Sequence, residues 1–396
     1  MPGIHAKIEL KSGKEQSLKR FHPWVFSGAI KNIYGSVREG DLVSIYSNKD
    51  EYLGFGHYQI GSIAVRIVSF KEEEPDYNFW KYKIESAWNL RKSLGFSGNN
   101  ETNVFRLIHA EGDGMPGLVI DFYNGTAVMQ MHSVGMYLIR EELTKALKEV
   151  LGDKLKAVYD KSEKTLPFKA EIEPKDGYLL GSNTGSEVLE NGLRFKVNWE
   201  TGQKTGFFID QRENRLLVQR YSRNRDVLNM FCYTGGFSFY AMKGGASSVH
   251  SVDASTLAID LTNENVELNF PGDKRHSAFV ADGFEYLKNI RDKYDLIILD
   301  PPAFAKHKNS LLQALKGYKR INTRAFEQIR KGGILFTFSC SQVVSKERFR
   351  EAVFSAAAIS GRNVRILHQL EQPTDHPIDI YHPESEYLKG LVLYVE

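Results

Sequence analysis

Cysteine, long apolar runs and an excess of charge of one sign are all scarce in this chain of 396 residues. Only two cysteines occur, Cys232 and Cys340, which excludes a disulfide framework and a zinc site built from cysteines. No stretch of about 18 apolar residues is present, so no membrane span is expected. The segment MPGIHAKIEL has no apolar core of the signal-peptide kind, so we expect a reduced, cytosolic protein.

The net charge is only +3, and the pI calculated from the sequence is about 8.5. This mildly basic balance does not by itself indicate that the protein binds nucleic acid. Basic residues do outnumber acidic ones near the N-terminus, where they are Lys7, Lys11, Lys14, Lys19, Arg20 and Lys31. Such a cluster could contact phosphates, but an ordinary solvated surface explains these lysines equally well.

Length and composition predict several packed domains. At roughly 100–200 residues per domain, the chain has room for two or three. Hydrophobic residues make up 42% and charged residues 26%, as in globular proteins with ordinary cores. Up to residue 70 the sequence predicts short strands, among them KIEL, DLVSIYS, YLGFGHY and SIAVRIVSF, and residues 71–77 (KEEEPDY) are typical of a linker.

The middle of the chain predicts a mixture of helices and strands without an obvious catalytic cluster. One helix is expected over 78–97 and a second over 135–151, because apolar residues recur there at helical spacing. The residues that set these two faces are Trp80, Ile84, Ala87, Trp88 and Arg91 in the first helix and Leu138, Leu143, Leu147 and Val150 in the second.

From about residue 205 short apolar strands alternate with loops or helices. The strands are DVLNMF, SVHSVDA, SAFVAD, YDLIILD and GILFTFSC. This rhythm predicts a parallel sheet with helices on both faces. Ligands of such sheets bind outside the carboxyl ends of the strands, so the residues just beyond each strand are the candidate site residues.

Two glycines and an aspartate follow the first two of these strands. Gly235 and Gly236 would let the backbone turn tightly against a ligand, and the next helix would present free N–H groups. Because the loop is not Gly-x-Gly-x-x-Gly, it supports a dinucleotide-phosphate site only weakly. Asp253 lies about 20 residues further on, where a carboxylate can accept hydrogen bonds from a ribose diol. It could instead cap the following helix.

The third and fourth strands end in acidic residues followed by aromatic ones. Asp282 could contact an adenine amino group and Phe284 could cover the ring, although Asp282 could equally be a helix cap. The fourth strand ends in the segment Asp300–Phe304, sequence DPPAF. Its two prolines stop the strand and stiffen the loop, so that an acid and an aromatic side chain could grip a planar base.

Cys340 follows the fifth strand, Gly333 to Phe338, with a serine on either side. A cysteine at this edge of the sheet could act as a nucleophile. A lone cysteine is more often a small buried hydrophobic residue, and Cys232, which stands between two aromatic residues, fits that description.

Together and in order, these residues resemble the RlmI-like family of 23S ribosomal RNA cytosine-5 methyltransferases over essentially the whole chain. The resemblance also rests on residues 20–30 (RFHPWVFSGAI), 109–121 (HAEGDGMPGLVID) and 202–212 (GQKTGFFIDQR). It implies a multidomain fold. A PUA-like RNA-binding β-barrel would occupy 1–72, a central α+β domain 73–190, and a Rossmann-like class I methyltransferase domain of the α/β class 191–396.

The resemblance further implies S-adenosylmethionine as cofactor and a role for each site residue. Asp210 to Arg212 and the Asn229–Gly236 loop would approach the methionine part, Asp253 the ribose and Asp282 the adenine. The implied cofactor-binding residues are Asp210, Gln211, Arg212, Asn229, Tyr233, Thr234, Gly235, Gly236, Asp253, Ser255, Asp282, Gly283, Phe284 and Asp300. The implied substrate-binding residues are Pro301, Pro302 and Phe304, and the implied catalytic residues are Cys340 and Asp300.

The implied reaction is covalent catalysis at a pyrimidine, in which the Cys340 thiolate adds at carbon 6 and makes carbon 5 nucleophilic. Many RNA cytosine-5 methyltransferases carry a second cysteine after the fourth strand, and DPPAF has none. Two alternatives therefore stay open. One is methylation of an exocyclic amine or another ring position with a structural Cys340, and the other is an RNA-binding protein without catalysis. The missing glycine pattern argues against a nicotinamide-dependent dehydrogenase.

The expected partner is RNA, in particular 23S-type ribosomal RNA, whose target base must be unpaired or flipped out of a helix. No membrane partner is expected, and exposed strand edges in the N-terminal module would permit a homodimer. No metal-ligand cluster is visible in the sequence. His109, His376 and His382 are scattered along it, and each is expected to have a surface or packing role.

Overall fold

The structure is a computed structural model that describes residues 6–167, 172–305 and 307–396. The chain forms two compact units. Unit 1 comprises the chain up to Gly192 together with Val197–Ile209 and Thr374–Ser385, and unit 2 comprises Leu193–Lys196, Asp210–Pro373 and Glu386–Glu396. The boundaries of the three predicted domains stay a prediction.

Unit 1 begins with a six-stranded sheet. Its elements are β1 (Ala6–Leu10), α1 (Gln16–Lys19), β2 (Trp24–Phe26), β3 (Ile30–Tyr34), β4 (Leu42–Tyr46), β5 (Tyr52–Tyr58) and β6 (Ile63–Ser69). The strand order is β2-β6-β5-β4-β1-β3, and only β1 and β4 pair in parallel. The four strands predicted here are confirmed. Apolar residues at alternate positions, such as Ile8 in β1 and Ile45 in β4, point to a shared core.

The rest of unit 1 is α+β. Its elements are α2 (Tyr77–Ser93), β7 (Val104–His109), β8 (Leu118–Tyr123), β9 (Thr126–Met131), α3 (Val134–Leu138), α4 (Arg140–Leu151), β10 (Ala157–Asp160), β11 (Gly177–Leu180) and β12 (Glu187–Glu190). Strands β7 to β11 form a sheet in sequential order. Helix α2 begins where the Asp76 side chain accepts a hydrogen bond of 2.9 Å from the Phe79 amide. Its five predicted face residues are all buried.

The helical structure predicted over 135–151 is confirmed, except that a break at Ile139 divides it into two helices. Helix α3 ends at Leu138, and Ile139, which separates it from α4, has a φ of −100° and a ψ of 12°, outside helical geometry. The periodicity therefore does not continue across the break, and Leu138 is 51% exposed. Leu143 and Leu147 on α4 are buried as predicted.

Unit 2 is built on a seven-stranded sheet of order β16-β15-β14-β17-β18-β20-β19. The seven strands of this sheet are β14 (Asp226–Met230), β15 (Ser248–Asp253), β16 (His276–Val280), β17 (Leu296–Leu299), β18 (Gly333–Ser339), β19 (Val364–Leu370) and β20 (Lys389–Val395). Strand β13 (Leu193–Lys196) of unit 2 lies outside this sheet. The helices of unit 2 are α5 (Arg212–Tyr221), α6 (Gly236–Lys243), α7 (Thr256–Asn269), α8 (Gly283–Tyr286), α9 (Leu311–Gln328) and α10 (Lys346–Ser360).

The five predicted strands β14 to β18 are confirmed, and they run parallel. Every residue of β17 and β18 is buried, which explains why these strands are continuous apolar runs in the sequence. Strand β20 lies antiparallel between β18 and β19. The carboxyl ends of β14 to β18 therefore share one edge of the sheet. In the part of the chain that the structure describes, no helix is both long and apolar enough to cross a membrane.

Candidate functional site

The loop after β14 holds an unusual backbone conformation. Phe231 and Tyr233 have φ values of 58° and 46°, in the left-handed region that costs non-glycine residues energy. Two hydrogen bonds hold Tyr233 in place: its amide donates to Asp253 Oδ2 (3.0 Å), and its carbonyl accepts from Thr262 Oγ1 (2.9 Å). The surrounding structure therefore fixes the shape of this loop at the sheet edge.

Gly235 and Gly236 begin helix α6 at this loop. Gly235 has a φ of 83°, and a Cβ atom there would lie 2.7 Å from both the Phe239 ring and the Thr262 methyl group. Both the backbone conformation and the close packing thus require glycine at this position. Thr234, the residue before it, is buried.

Asp253 connects two loops and is not a helix cap. Its Oδ2 accepts from Tyr233, and its Oδ1 accepts from the Ser255 amide (3.0 Å). The cap of α7 is Ser255, whose hydroxyl accepts a hydrogen bond from the Ala258 amide (3.3 Å). The half-buried Asp253 carboxylate is therefore positioned by backbone N–H groups at the carboxyl end of β15.

Asp282, in contrast, is a helix cap. Its Oδ1 accepts from the amides of Phe284 (2.9 Å) and Glu285 (3.0 Å) at the start of α8. The Phe284 ring centre lies 6.2 Å from that of Phe304, and the Arg320 guanidinium carbon lies 4.2 Å from the Phe284 ring centre. Gly283 is buried, and a Cβ atom there would meet the Phe231 ring at 2.7 Å. The cap thus fixes an aromatic residue beside the loop after β17.

The segment Asp210–Arg212 is buried within unit 2. The Gln211 amide nitrogen donates to Asp300 Oδ2 (3.0 Å), and the Tyr387 hydroxyl donates to Asp210 Oδ2 (2.7 Å). The structure therefore brings Gln211 and Asp300 together. Asn229 is not brought to the same place, because its fully buried side chain donates to Ser238 Oγ (2.9 Å) on α6.

The loop Asp300–Phe304 lies beside the turn that carries Cys340. The Ala305 amide donates to Ser341 Oγ (3.2 Å), so the loop after β17 is bonded to the turn after β18. Tyr318 strengthens this junction: its ring centre lies 4.7 Å from that of Phe304, and its hydroxyl accepts from Ser339 Oγ (2.9 Å). Apart from the helical periodicity of α9, nothing in the sequence marks Tyr318.

The two cysteines differ in environment. Cys340 is half-buried, whereas Cys232 is 6% exposed and burial raises the pKa of its thiol. The interpretation of Cys232 as a buried hydrophobic residue is confirmed. Close to Cys340, the buried ammonium of Lys389 donates to the carbonyl oxygens of Ser341 (2.7 Å) and Val344 (2.6 Å). Burial lowers the pKa of Lys389 to about 8. Sequence analysis missed Lys389, since nothing in its neighbourhood along the chain marks it.

His109 is far from His376 and His382 in the sequence, and all three have the expected packing role. All three are buried, in line with the packing role, and the His109 and His376 ring centres are 5.1 Å apart. His109 and His376 meet because Thr374–Ser385 belongs to unit 1.

Within the described residues, His22, His382 and Glu384 form a group of the composition that can hold a metal ion. The imidazole Nε2 atoms of His22 and His382 lie 3.4 Å and 3.7 Å from Glu384 Oε2. His22 Nδ1 accepts a hydrogen bond from the Trp24 amide (3.3 Å). In neutral His22 the proton is consequently on Nε2, facing Glu384, which makes this group a hydrogen-bonded cluster.

Comparison with known proteins identifies the family. Residues 172–391 match the family model described as S-adenosylmethionine-dependent methyltransferase, which spans more than half of the chain. The chain belongs to this methyltransferase family. Residues 8–70 of this methyltransferase match a second model, that of a PUA-like domain. The predicted cofactor, the N-terminal PUA-like domain and the class I methyltransferase fold are thereby confirmed.

Full-length relatives of this methyltransferase support the same assignment. It is 40% identical over 398 residues to the ribosomal RNA large subunit methyltransferase I of Alteromonas mediterranea, covering 99% of each chain. It is 41% identical over 403 residues to the protein of the same name from Aeromonas hydrophila, covering 98% of this chain and 99% of the relative. A solved structure assigned as a methyltransferase, complexed with SAH, is 25% identical with a TM-score of 0.86 and covers 98% of this chain and 100% of that chain.

Proposed function

We propose that this methyltransferase forms 5-methylcytosine in large-subunit ribosomal RNA through a covalent bond between Cys340 and the target base. The names of the full-length relatives support the RNA substrate. The observation that carries the proposal is the position of Cys340. It is half-buried at the carboxyl end of β18 and precedes Ser341, which is bonded to the loop Asp300–Phe304.

The strand-end residues fit S-adenosylmethionine. Asp253 is oriented by two backbone N–H groups and is half-buried, so its oxygens can also accept hydrogen bonds from ribose hydroxyls. Gly235 lets the backbone turn tightly at the start of α6, where a Cβ atom would collide with Phe239 and Thr262. Phe284 offers an aromatic surface beside the cap of α8. When bound, S-adenosylmethionine supplies an electrophilic methyl group.

The loop after β17 is proposed to hold the base. Phe304, supported by Tyr318, presents a ring on which a planar base can stack. Pro301 and Pro302 stiffen the loop. Asp300, whose Oδ2 is fixed by Gln211, would bind the N3 and N4 edge of cytosine and stabilise positive charge that develops on the ring.

Cys340 would then supply the chemistry that carbon 5 requires. Its thiolate forms a bond to carbon 6, and the electron pair of the carbon 5–carbon 6 double bond becomes available at carbon 5. Carbon 5 takes the methyl group, whose bond to the sulfonium sulfur breaks so that S-adenosylhomocysteine leaves. A base then accepts the proton of carbon 5, which restores the double bond as the bond between the Cys340 sulfur and carbon 6 breaks. The thiolate is regenerated, so the protein is unchanged at the end of the cycle.

RNA docking is assigned in this proposal to the N-terminal PUA-like domain. Its surface carries lysines, and Phe21 and Phe26 are each 48% exposed. Lysines can neutralise phosphates, and exposed aromatic rings can stack on unpaired bases. Such contacts would position the RNA, while the target base is read at the loop after β17.

The test is to incubate the protein with unmodified ribosomal RNA and S-adenosylmethionine, digest the RNA and identify the methylated nucleoside by mass spectrometry. Cys340→Ala and Cys340→Ser are assayed beside the wild type, with thermal unfolding as a check on folding. We expect 5-methylcytidine from the wild type and none from either variant. A different methylated nucleoside, or a folded variant with full activity, would instead support methylation of an exocyclic amine with a structural Cys340.

A further inference from the structure

Strand β20 places Lys389 next to the turn that carries Cys340. In the antiparallel pairing of β18 and β20, Lys389 lies directly opposite Ser339, the residue before Cys340. The side chain then extends past Cys340, because its ammonium donates to the carbonyls of Ser341 and Val344. These two hydrogen bonds hold the turn from both ends.

The environment of this ammonium is unusual for a lysine. Lys389 is 4% exposed, and among the residues that the structure describes no carboxylate forms an ion pair with it. A buried charge is costly unless other groups compensate for it. The carboxylate of Glu386, close by in the chain, pairs instead with Lys346 of α10. Two carbonyl oxygens are therefore the direct partners of the Lys389 ammonium.

The titratable groups around the pair come from four parts of unit 2. Cys340 follows β18, Tyr318 faces it from α9, Lys346 lies on α10, and Glu386 precedes β20. Burial lowers the pKa of Lys389, while Cys340 and Glu386 act in the opposite direction. Since electrostatic coupling is mutual, a charged Lys389 stabilises a negative charge on the Cys340 sulfur.

We propose that Lys389 is a positioning residue that holds the Cys340 turn and favours the thiolate form of Cys340 through its buried positive charge. The inference rests on the proposed function only in that Cys340 is the nucleophile. Lys389 itself is assigned no contact with substrate or cofactor. A purely structural lysine would hold the turn without changing the ionisation of the thiol, and this difference can be measured.

The experiment measures the alkylation rate of Cys340 by iodoacetamide from about pH 5 to about pH 10, with the modified peptide identified by mass spectrometry. Wild type is compared with Lys389→Met, which removes the charge and keeps much of the side-chain length, and with Lys389→Arg, which keeps the charge. We expect an alkylation rate at neutral pH about tenfold lower in Lys389→Met, because one pKa unit changes the thiolate fraction about tenfold. Lys389→Arg should stay closer to the wild type.

Equal alkylation profiles of wild type and folded Lys389→Met would overturn the inference. If Lys389→Met does not fold, the wild-type profile is compared with that of the chain unfolded in urea. The inference is also overturned if the pH midpoint of Cys340 alkylation in the folded wild type is at or above that in the unfolded chain. A lower midpoint in the folded wild type, kept in Lys389→Arg, supports it. Methylation by Cys340→Ala is scored separately. Full methylation activity in Cys340→Ala would contradict the proposed function. It would not change a measured effect of Lys389 on the ionisation of the Cys340 thiol.

Discussion

The backbone amide of Ala305 donates a hydrogen bond of 3.2 Å to the side-chain hydroxyl of Ser341. This bond joins two loops that are far apart in the sequence, one containing the Asp-Pro-Pro-Ala-Phe segment and the other containing Cys340. Ser341 is fully buried and is also within 3.4 Å of the Tyr318 hydroxyl. Its hydroxyl is therefore the direct link between the proposed base-binding loop and the proposed nucleophile.

Ser341→Ala should lower both the stability of the protein and its methylation rate. The buried Ala305 amide would lose its acceptor, which costs about 1–3 kcal/mol of unfolding free energy, and the methylation rate should fall because Phe304 is held less firmly. Urea unfolding and initial rates measure both effects. Ser355→Ala is the control, since the hydroxyl of this half-buried serine donates to a carbonyl of its own helix, that of Glu351. Equal losses in the two variants would argue against the link.

Asp253→Asn should weaken cofactor binding. The charged carboxylate is expected to accept hydrogen bonds from ribose hydroxyls, and loss of such bonds costs about 1.5–3 kcal/mol, or roughly tenfold or more in affinity. Isothermal titration calorimetry with S-adenosylmethionine gives the dissociation constants. The exposed Asp260 on α7 supplies the control variant Asp260→Asn. An unchanged affinity in Asp253→Asn would remove this residue from the cofactor site.

Gly235→Ala and Gly245→Ala form a matched pair. Both glycines have φ close to 80°, so both substitutions introduce left-handed strain of about 1 kcal/mol. Only Gly235 also lacks space, because the nearest atom to a Cβ at Gly245 is 3.8 Å away. We expect Gly235→Ala to lower the unfolding free energy and the affinity for S-adenosylmethionine more than Gly245→Ala does. Equal losses of unfolding free energy and of affinity in the two variants would show that the close packing around Gly235 has no effect of its own.

Acid should destabilise unit 1 through His57. This side chain is fully buried and stacked on Trp80, and burial lowers its pKa from 6.5 to about 4. Below pH 6.5 the unfolded chain binds a proton that the folded chain excludes, so stability is lost as the pH falls from about 6.5 towards 4. The loss at pH 5 should be about 2 kcal/mol relative to neutral pH.

Unfolding by urea at neutral pH and at pH 5 tests this effect, with His57→Gln as the comparison. The variant should be less stable at neutral pH but should lose less on acidification. Other buried histidines such as His276, whose pKa is also lowered to about 4, act in the same direction in both proteins. The difference between wild type and His57→Gln in how the unfolding free energy depends on pH therefore isolates His57. An equal loss of unfolding free energy in both proteins would contradict the assignment.

Binding of RNA should weaken steeply as salt is added. Each neutralised phosphate of a single strand contributes a slope of about −0.7 in a plot of log affinity against log salt concentration. Lys14, which is exposed in the N-terminal domain, is expected to contribute, so Lys14→Gln should reduce the slope. Lys288→Gln, on a lysine that pairs with Glu285 in unit 2, is the control. A flat salt dependence of the wild type would exclude the electrostatic part of RNA docking.

Much of the site could be predicted because it lies at strand ends. The runs that became β17 and β18 are apolar on both faces, and the alternation of such short runs with loops or helices located Gly235, Asp253, Asp282 and Cys340 at one edge of a sheet. Whether an aspartate caps a helix could not be decided in this way. Asp282 is a cap and Asp253 is not, because Ser255 takes that position at α7.

The sequence by itself determined the five parallel strands β14 to β18, the edge of the sheet at which the site residues gather, and the buried character of Cys232. These follow from periodicity and residue type, which act between neighbours in the chain. Only the tertiary structure decided that Ser341 links two loops, that Tyr318 supports Phe304, and that Lys389 lies beside Cys340. Burial, packing and charge pairing depend on residues from distant parts of the chain, which are brought together only by folding.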